Sequence, residues 1–170
     1  MFRFALLFSV ILVGLFTLEL MPFGQQWLVV PFTAFIAKIS AGLIQLFDQG
    51  VQAYGIILQD KTSGFAVSIE AGCNGIEASI VLIAAILAFP ANWRMKLIGI
   101  GIGILAIQVM NLLRIISLFY LGQWNQTAFE WAHLYIWQSL IILDVLVVFL
   151  VWLRYLPRVR LQVGSEHASA

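Results

Sequence analysis

Three polar side chains stand out in a chain made mostly of apolar ones: Cys73, Arg114 and His133. Cys73 is the only cysteine and sits in Glu70-Ala-Gly-Cys-Asn-Gly75, where a polar stretch gives way to a long apolar run. Arg114 lies inside a second apolar run, and His133 stands just before a third. Holding an ionisable group in hydrocarbon costs on the order of a few kcal/mol, so such a group is a functional hypothesis by default. An imidazole within reach of a thiol can take its proton, leaving a thiolate to attack a carbonyl, and later protonate a leaving amine. A guanidinium beside them can stabilise the charge that develops. A shared site requires Cys73 Sγ within about 4 Å of the His133 ring or the Arg114 guanidinium.

Each residue also has a plainer reading. A lone cysteine in an apolar protein is often a small hydrophobe. Cys73, however, stands at a strand-to-helix junction between Gly72 and Gly75, which permit a tight turn and close approach of a substrate backbone. A helix N-terminus and a nearby Arg or His⁺ would also lower its pKa. Arg114 lies seven residues before the end of its run at Leu121, roughly 10 Å by helical rise. Gln108 and Asn111 share its side of the helix. It can form a structural ion pair with Asp144, seven residues beyond Trp137. An inert pair at that depth would be replaceable by apolar packing. His133 neighbours Trp131, Tyr135 and Trp137, an interfacial aromatic belt in which a histidine is ordinary. Glu70, Glu77 and Glu130 can orient His133 or bind a basic group, yet carboxylates near helix starts also serve as caps. His133 and His167 are too few and too far apart to hold a metal alone, and no cofactor is expected.

The elements that must position these residues follow from composition. The chain has 170 residues, 62% hydrophobic and 10% charged, where a soluble domain carries about 25% charged residues. That defines a membrane protein, a single domain over residues 1–160, and a net charge of +1 gives nucleic acid no purchase. The expected fold class is all-α polytopic: about four transmembrane helices, an interfacial amphipathic helix and a short outer β-hairpin. The spans are read at 4–21, 74–90, 97–121 and 137–156, near the roughly 20 residues a crossing needs. The first run is read as a retained helix, since no small-residue cleavage site clearly ends it. Arg3, Arg94, Lys96, Arg154, Arg158 and Arg160 all fall at one face, which the positive-inside rule makes cytoplasmic. Cys73 and His133 then face outward.

A fifth span over the apolar stretch 27–47 would reverse that orientation. Lys38, Gln45, Gln49 and Gln52 line one side of it, with Phe32, Phe35, Ile36, Ile39, Leu43 and Leu46 mostly opposite. An interfacial helix is therefore expected there. Between residues 54 and 70 the period falls to two, with Asp60-Lys-Thr-Ser-Gly64 as a turn, and predicts an outer β-hairpin leading to Cys73. Gly99, Gly101 and Gly103 lie inside a membrane helix with no preceding strand and read as packing glycines rather than a nucleotide loop. Residues 161–170, with His167, read as a cytoplasmic tail.

Cys73-Asn-Gly75 opening a membrane helix, Asn111-Leu-Leu-Arg114 in the next and His133 before the last resemble the exosortase/archaeosortase family over about residues 65–155. The small size and four-span core are similar to the exosortase H branch. Trp137 stands four residues after the histidine, where other exosortases often carry glycine. The resemblance implies a membrane cysteine transpeptidase of the cytoplasmic membrane with its active site outside. Cys73 would be the nucleophile, His133 the general base and acid, and Arg114 the electrostatic stabiliser, supported by Asn111, Asp144, Gly75 and Glu77. Its partners would be exported proteins bearing a C-terminal sorting signal: a short motif, one membrane helix and a basic tail. Cleavage would give a thioester that an unknown acceptor resolves.

Two rivals differ in kind. A hydrolase would use the same residues with water as acceptor. A non-enzymatic assembly or transport subunit would use Arg114 and Asp144 as a structural pair and would survive Cys73→Ala. A rhomboid-type serine protease is disfavoured, because the chain has no Gly-x-Ser-x-Gly motif.

Overall fold

The computed structural model describes residues 2–156. The expected cytoplasmic tail 161–170, with His167, and the basic residues Arg158 and Arg160 lie outside them. The described chain is an all-α polytopic fold with one small sheet: α1 (Phe2–Leu20), α2 (Pro22–Ile44), β1 (Val51–Tyr54), β2 (Ile57–Asp60), β3 (Ala66–Ser68), α3 (Ile76–Ala88), α4 (Trp93–Trp124) and α5 (Gln126–Tyr155).

Among the described residues four helices are long and apolar enough to cross a membrane, but not quite the expected four. α1, α2, α4 and α5 qualify, whereas α3 has only 13 residues. Both ends of α3 are set by backbone chemistry. Gly75, at φ +78°, breaks the chain just before Ile76. Phe89 precedes Pro90 and is extended, at ψ 137°, because the proline ring disfavours helical geometry in the residue before it. The helix expected over 74–90 is shortened at both ends for these reasons.

α1, α3, α4 and α5 alternate in direction between two poles. At one end the Phe4 and Phe89 rings meet edge to face, and Phe89 also packs on Phe149 and Trp152. Trp152 Nε1 donates to the Met95 carbonyl at 2.9 Å, and Lys96 Nζ donates to the Leu87 carbonyl at 2.7 Å. Gly99 lies against the Trp152 ring and Gly103 against Leu82 and Val148; a Cβ at either would approach within 2.5 Å of a neighbour. These two act as packing glycines, whereas Gly101 has open space beside it. Arg3, Arg94, Lys96 and Arg154 all belong to helix ends at this pole. Glu19, Asn74, Arg114 and His133 belong to the other.

α2 begins at Pro22 rather than residue 27 and ends at Ile44 rather than 47, and Gln52 lies on β1. Its buried face also differs from the expected one. Thr33, Ile36, Ala37, Ser40, Ala41 and Ile44 are buried, while Phe35 and Leu43 point outward. The small Ala37, Ser40 and Ala41 let the helix lie close to its neighbours, where the large Phe35 and Leu43 could not. Ile36, Ala37, Ala41 and Ile44 share one core with Val51, Leu58, Ile69, Ile115 and Phe119. A π-helical turn at Gln25–Val29 precedes Pro31, whose ring nitrogen cannot donate to the preceding turn.

The expected hairpin is a three-stranded antiparallel meander in the order β1-β2-β3. Val51 pairs with Asp60 and Tyr54 with Ile57 around Gly55, which takes φ +59°. The second turn is held by Asp60, whose carboxylate accepts from the Thr62 and Ser63 backbone amides at 2.8 and 3.2 Å. β1 is missed by the sequence reading because Gln49 and Gln52 fit the polar face of a helix equally well.

Candidate active site

The loop from Glu70 to Gly75 carries the thiol. The Cys73 amide donates to the Glu70 carbonyl at 3.0 Å, and Gly72 takes φ +82°. Asn74 then fixes the loop on both sides. Its Oδ1 accepts from the Ile76 amide and its Nδ2 donates to Thr33 Oγ1, each at 3.0 Å, so one buried side chain holds the first amide of α3 and ties the loop to α2. The Gly72 amide donates to Glu77 Oε1, closing the loop from the helix side.

Cys73, Arg114 and His133 meet here. Arg114 is 2% exposed, and on a 32-residue helix it reaches across to the loop. Its Nη1 donates to the Gly72 carbonyl at 3.0 Å and its Nη2 to Cys73 Sγ at 3.4 Å. Its Nε is buried with no partner among the described residues. His133 Nδ1 and Nε2 both lie 3.9 Å from Cys73 Sγ. The imidazole stacks on Phe129 with ring centroids 5.7 Å apart and planes within 2°. It projects from a π-helical turn, Ala132–Trp137, inside the continuous α5. Such turns insert one extra residue and re-aim side chains, often at functional sites.

The supporting residues divide. Glu77 and Gly75 belong to the loop and its cap. A Cβ at Gly75 would strike the Gln108 side chain. Asn111 is fully buried, and its Nδ2 reaches Gln108 Oε1 at 3.5 Å rather than any of the trio. Asp144 does not pair with Arg114. Its Oδ2 has no partner among the described residues, and the guanidinium is turned to the Cys73 loop instead. Glu70 and Glu130 lie exposed, and Glu130 accepts from Gln126 at 3.2 Å. The residues the sequence reading did not single out are Asn74, Thr33 and Phe129. Asn74 carried a signal in its place in Cys73-Asn-Gly75 and Phe129 in its i−4 spacing from His133, whereas Thr33 carried none.

The balance at the thiol runs against the lowering expected from its helix-start position. Burial pushes the Cys73 pKa up; Arg114 pulls it down, and Glu77 and Glu70 push it up again. A buried thiol loses the hydration of its charged form, and one guanidinium does not offset that loss. The surroundings therefore favour the thiol over the thiolate, and a nucleophilic role for Cys73 would require a base. Alkylation of Cys73 by iodoacetamide should accordingly reach half its maximal rate at a higher pH than a free thiol does. Arg114→Gln should raise that midpoint further, since it removes the pull toward thiolate. Mass-spectrometric adduct rates across pH check this, and an unmoved midpoint would show that the guanidinium does not act on the sulfur.

A small cavity of about 40 Å³ separates the trio from Val67, Ser68, Ile69 and Phe129. On the other side of Arg114, a groove of about 390 Å³ runs between α3 and α5 past Glu77, Ala78, Gln138 and Ile141. No group of three or more potential metal ligands occurs among the described residues.

Apolar helices of crossing length and a polar cluster at one pole define a multi-pass membrane protein. Residues 2–153 match the family model described as transmembrane exosortase (Exosortase_EpsH). The chain belongs to that family. Comparison with curated proteins and with solved structures gives no match.

Proposed function

We propose that the chain is a cysteine transpeptidase that cleaves C-terminal sorting signals of exported proteins on the outer face of the cytoplasmic membrane. The observation that carries this reading is the contact of one sulfur with two groups, Arg114 Nη2 at 3.4 Å and the His133 ring at 3.9 Å. His133 takes the proton from Cys73 Sγ as the sulfur attacks the scissile carbonyl. Arg114 stabilises the thiolate it touches, and its free Nε is a further donor for the oxyanion that forms. The C–N bond breaks, the amine leaves with the proton from His133, and the acyl group remains on Cys73 as a thioester. A second nucleophile then releases the acyl product and restores the thiol.

The scaffold alternative rests on an Arg114–Asp144 pair, and the Arg114 contacts run elsewhere. The test is a trapped intermediate. A co-expressed sorting-signal reporter should yield a Cys73-linked fragment, found by mass spectrometry and released by hydroxylamine, which cleaves thioesters. Its absence from the wild-type protein, with unprocessed reporter present, would sink the enzymatic reading.

The orientation is tested separately. Thr62→Cys and Gln126→Cys, each in a Cys73→Ala background, should label with a membrane-impermeant maleimide on whole cells. The basic residues at the opposite pole motivate this outcome. Protection of both positions until lysis would invert the topology.

A further inference from the structure

β3 is an edge strand: β2 lies on one side of it, and among the described residues no strand pairs with the other. The register fixes which groups face that free side. The Asp60 amide donates to the Phe65 carbonyl and the Ile69 amide to the Ile56 carbonyl, both at 2.9 Å, with Leu58 opposite Val67 between them. Antiparallel hydrogen-bonded pairs alternate, so Phe65, Val67 and Ile69 turn their main-chain groups toward β2. Ala66 and Ser68 turn theirs away. Neither residue's amide or carbonyl has another partner among the described residues. An unpaired edge is a template for an incoming strand, and natural proteins usually blunt such edges with charge, proline or a covering element. Ala66-Val-Ser68 carries neither charge nor proline.

The position of this edge says what pairs with it. Val67, Ser68 and Ile69 line the same small cavity as Cys73, Arg114 and His133. A chain that added to β3 would therefore run alongside the thiol. The free groups at Ala66 and Ser68 repeat every two residues, about 6.4–6.8 Å, which is the repeat of an extended peptide. Strand addition draws affinity from main-chain hydrogen bonds and specificity from the pockets that alternate side chains reach.

We infer that the free edge of β3 binds the substrate as an added strand, pairing Ala66 and Ser68 main-chain groups with the extended segment that carries the scissile bond. This rests on the transpeptidase reading for the identity of the segment and adds how it is held. The partner is an unstructured peptide, recognised first by its backbone. A segment that is helical up to the cleavage point cannot pair and is not a substrate until it unwinds.

The experiment uses the full chain in detergent micelles and measures Cys73 adduct formation by mass spectrometry, with no turnover required. The probes are a pool of tripeptide vinyl sulfones with randomised side chains, the same pool with every peptide nitrogen methylated, and ethyl vinyl sulfone. The peptide pool should label Cys73 at least tenfold faster than ethyl vinyl sulfone, and methylation should abolish that advantage. Ser68→Pro removes one outward amide while leaving the Leu58–Val67 pairing intact, and proline is tolerated at strand edges. It should also abolish the advantage, read as the ratio of the peptide rate to the variant's own ethyl vinyl sulfone rate. A peptide pool no faster than ethyl vinyl sulfone, or an advantage that survives both methylation and Ser68→Pro, overturns the inference. If Ser68→Pro fails to fold, the methylated pool against the native chain decides alone. Failure of the transpeptidase reading is visible elsewhere, as a wild-type protein that labels with this preference but forms no Cys73-linked reporter fragment.

Discussion

Arg114→Lys should insert and accumulate normally yet convert a sorting-signal reporter about 100-fold more slowly or worse, the loss typical of removing an oxyanion donor. Lysine keeps the charge but not the planar fork. In the native site two prongs of that fork are engaged on different atoms, the Gly72 carbonyl and Cys73 Sγ. A single ammonium cannot hold both in the same geometry and leave a third donor free. Reporter conversion on an immunoblot, at matched protein levels, gives the measurement. Near-normal conversion would reduce Arg114 to a structural charge and leave Cys73 and His133 as a dyad.

His133→Ala should be as damaging, by about 10²–10⁴-fold, the range over which a positioned general base contributes. The reason lies in the thiol. Because burial favours the protonated form of Cys73, loss of the base would not be covered by a standing population of thiolate. The mutant should therefore recover activity as pH rises, with conversion tracking the ionisation of Cys73, whereas the wild type should be far less dependent on alkali. A pH profile of reporter conversion in isolated membranes separates the cases. A His133→Ala protein that keeps its activity at neutral pH would move the proton acceptor elsewhere.

The trio was legible because polar residues in apolar runs are conspicuous, and because strand-to-helix and helix-to-helix junctions can be placed by period. Its geometry was legible only in outline. Matching depth suggested Asp144 as the partner of Arg114, but depth says nothing of azimuth, and the arginine turns to the Gly72 carbonyl. The thiol pKa was misjudged for a related reason. Helix dipole and cation can be read from sequence, whereas desolvation depends on what covers the sulfur. α2 was found as an amphipathic element but rotated, since its buried face is made of small residues that hydropathy undervalues: Ala37, Ser40 and Ala41. Phe129, which stacks on His133, lies four residues earlier on α5 and could have been noticed as its helical neighbour.

The brevity of α3 bears on the lifetime of what forms at its tip. Thirteen helical residues rise about 20 Å, against a hydrocarbon layer of about 30 Å. Lys96, bonded to the Leu87 carbonyl, pins the far end of α3 among basic residues at one boundary. If the basic pole lies at one boundary, the half-buried thiol beyond Gly75 would sit near or just beneath the other. A thioester formed there, as proposed above, would meet water at low activity, and its spontaneous hydrolysis would slow. A nucleophile that travels within the bilayer gains a corresponding advantage in local concentration. The deficit in helix length would thus bias the second half of the reaction toward transfer, a kinetic partition set by membrane thickness rather than by any side chain.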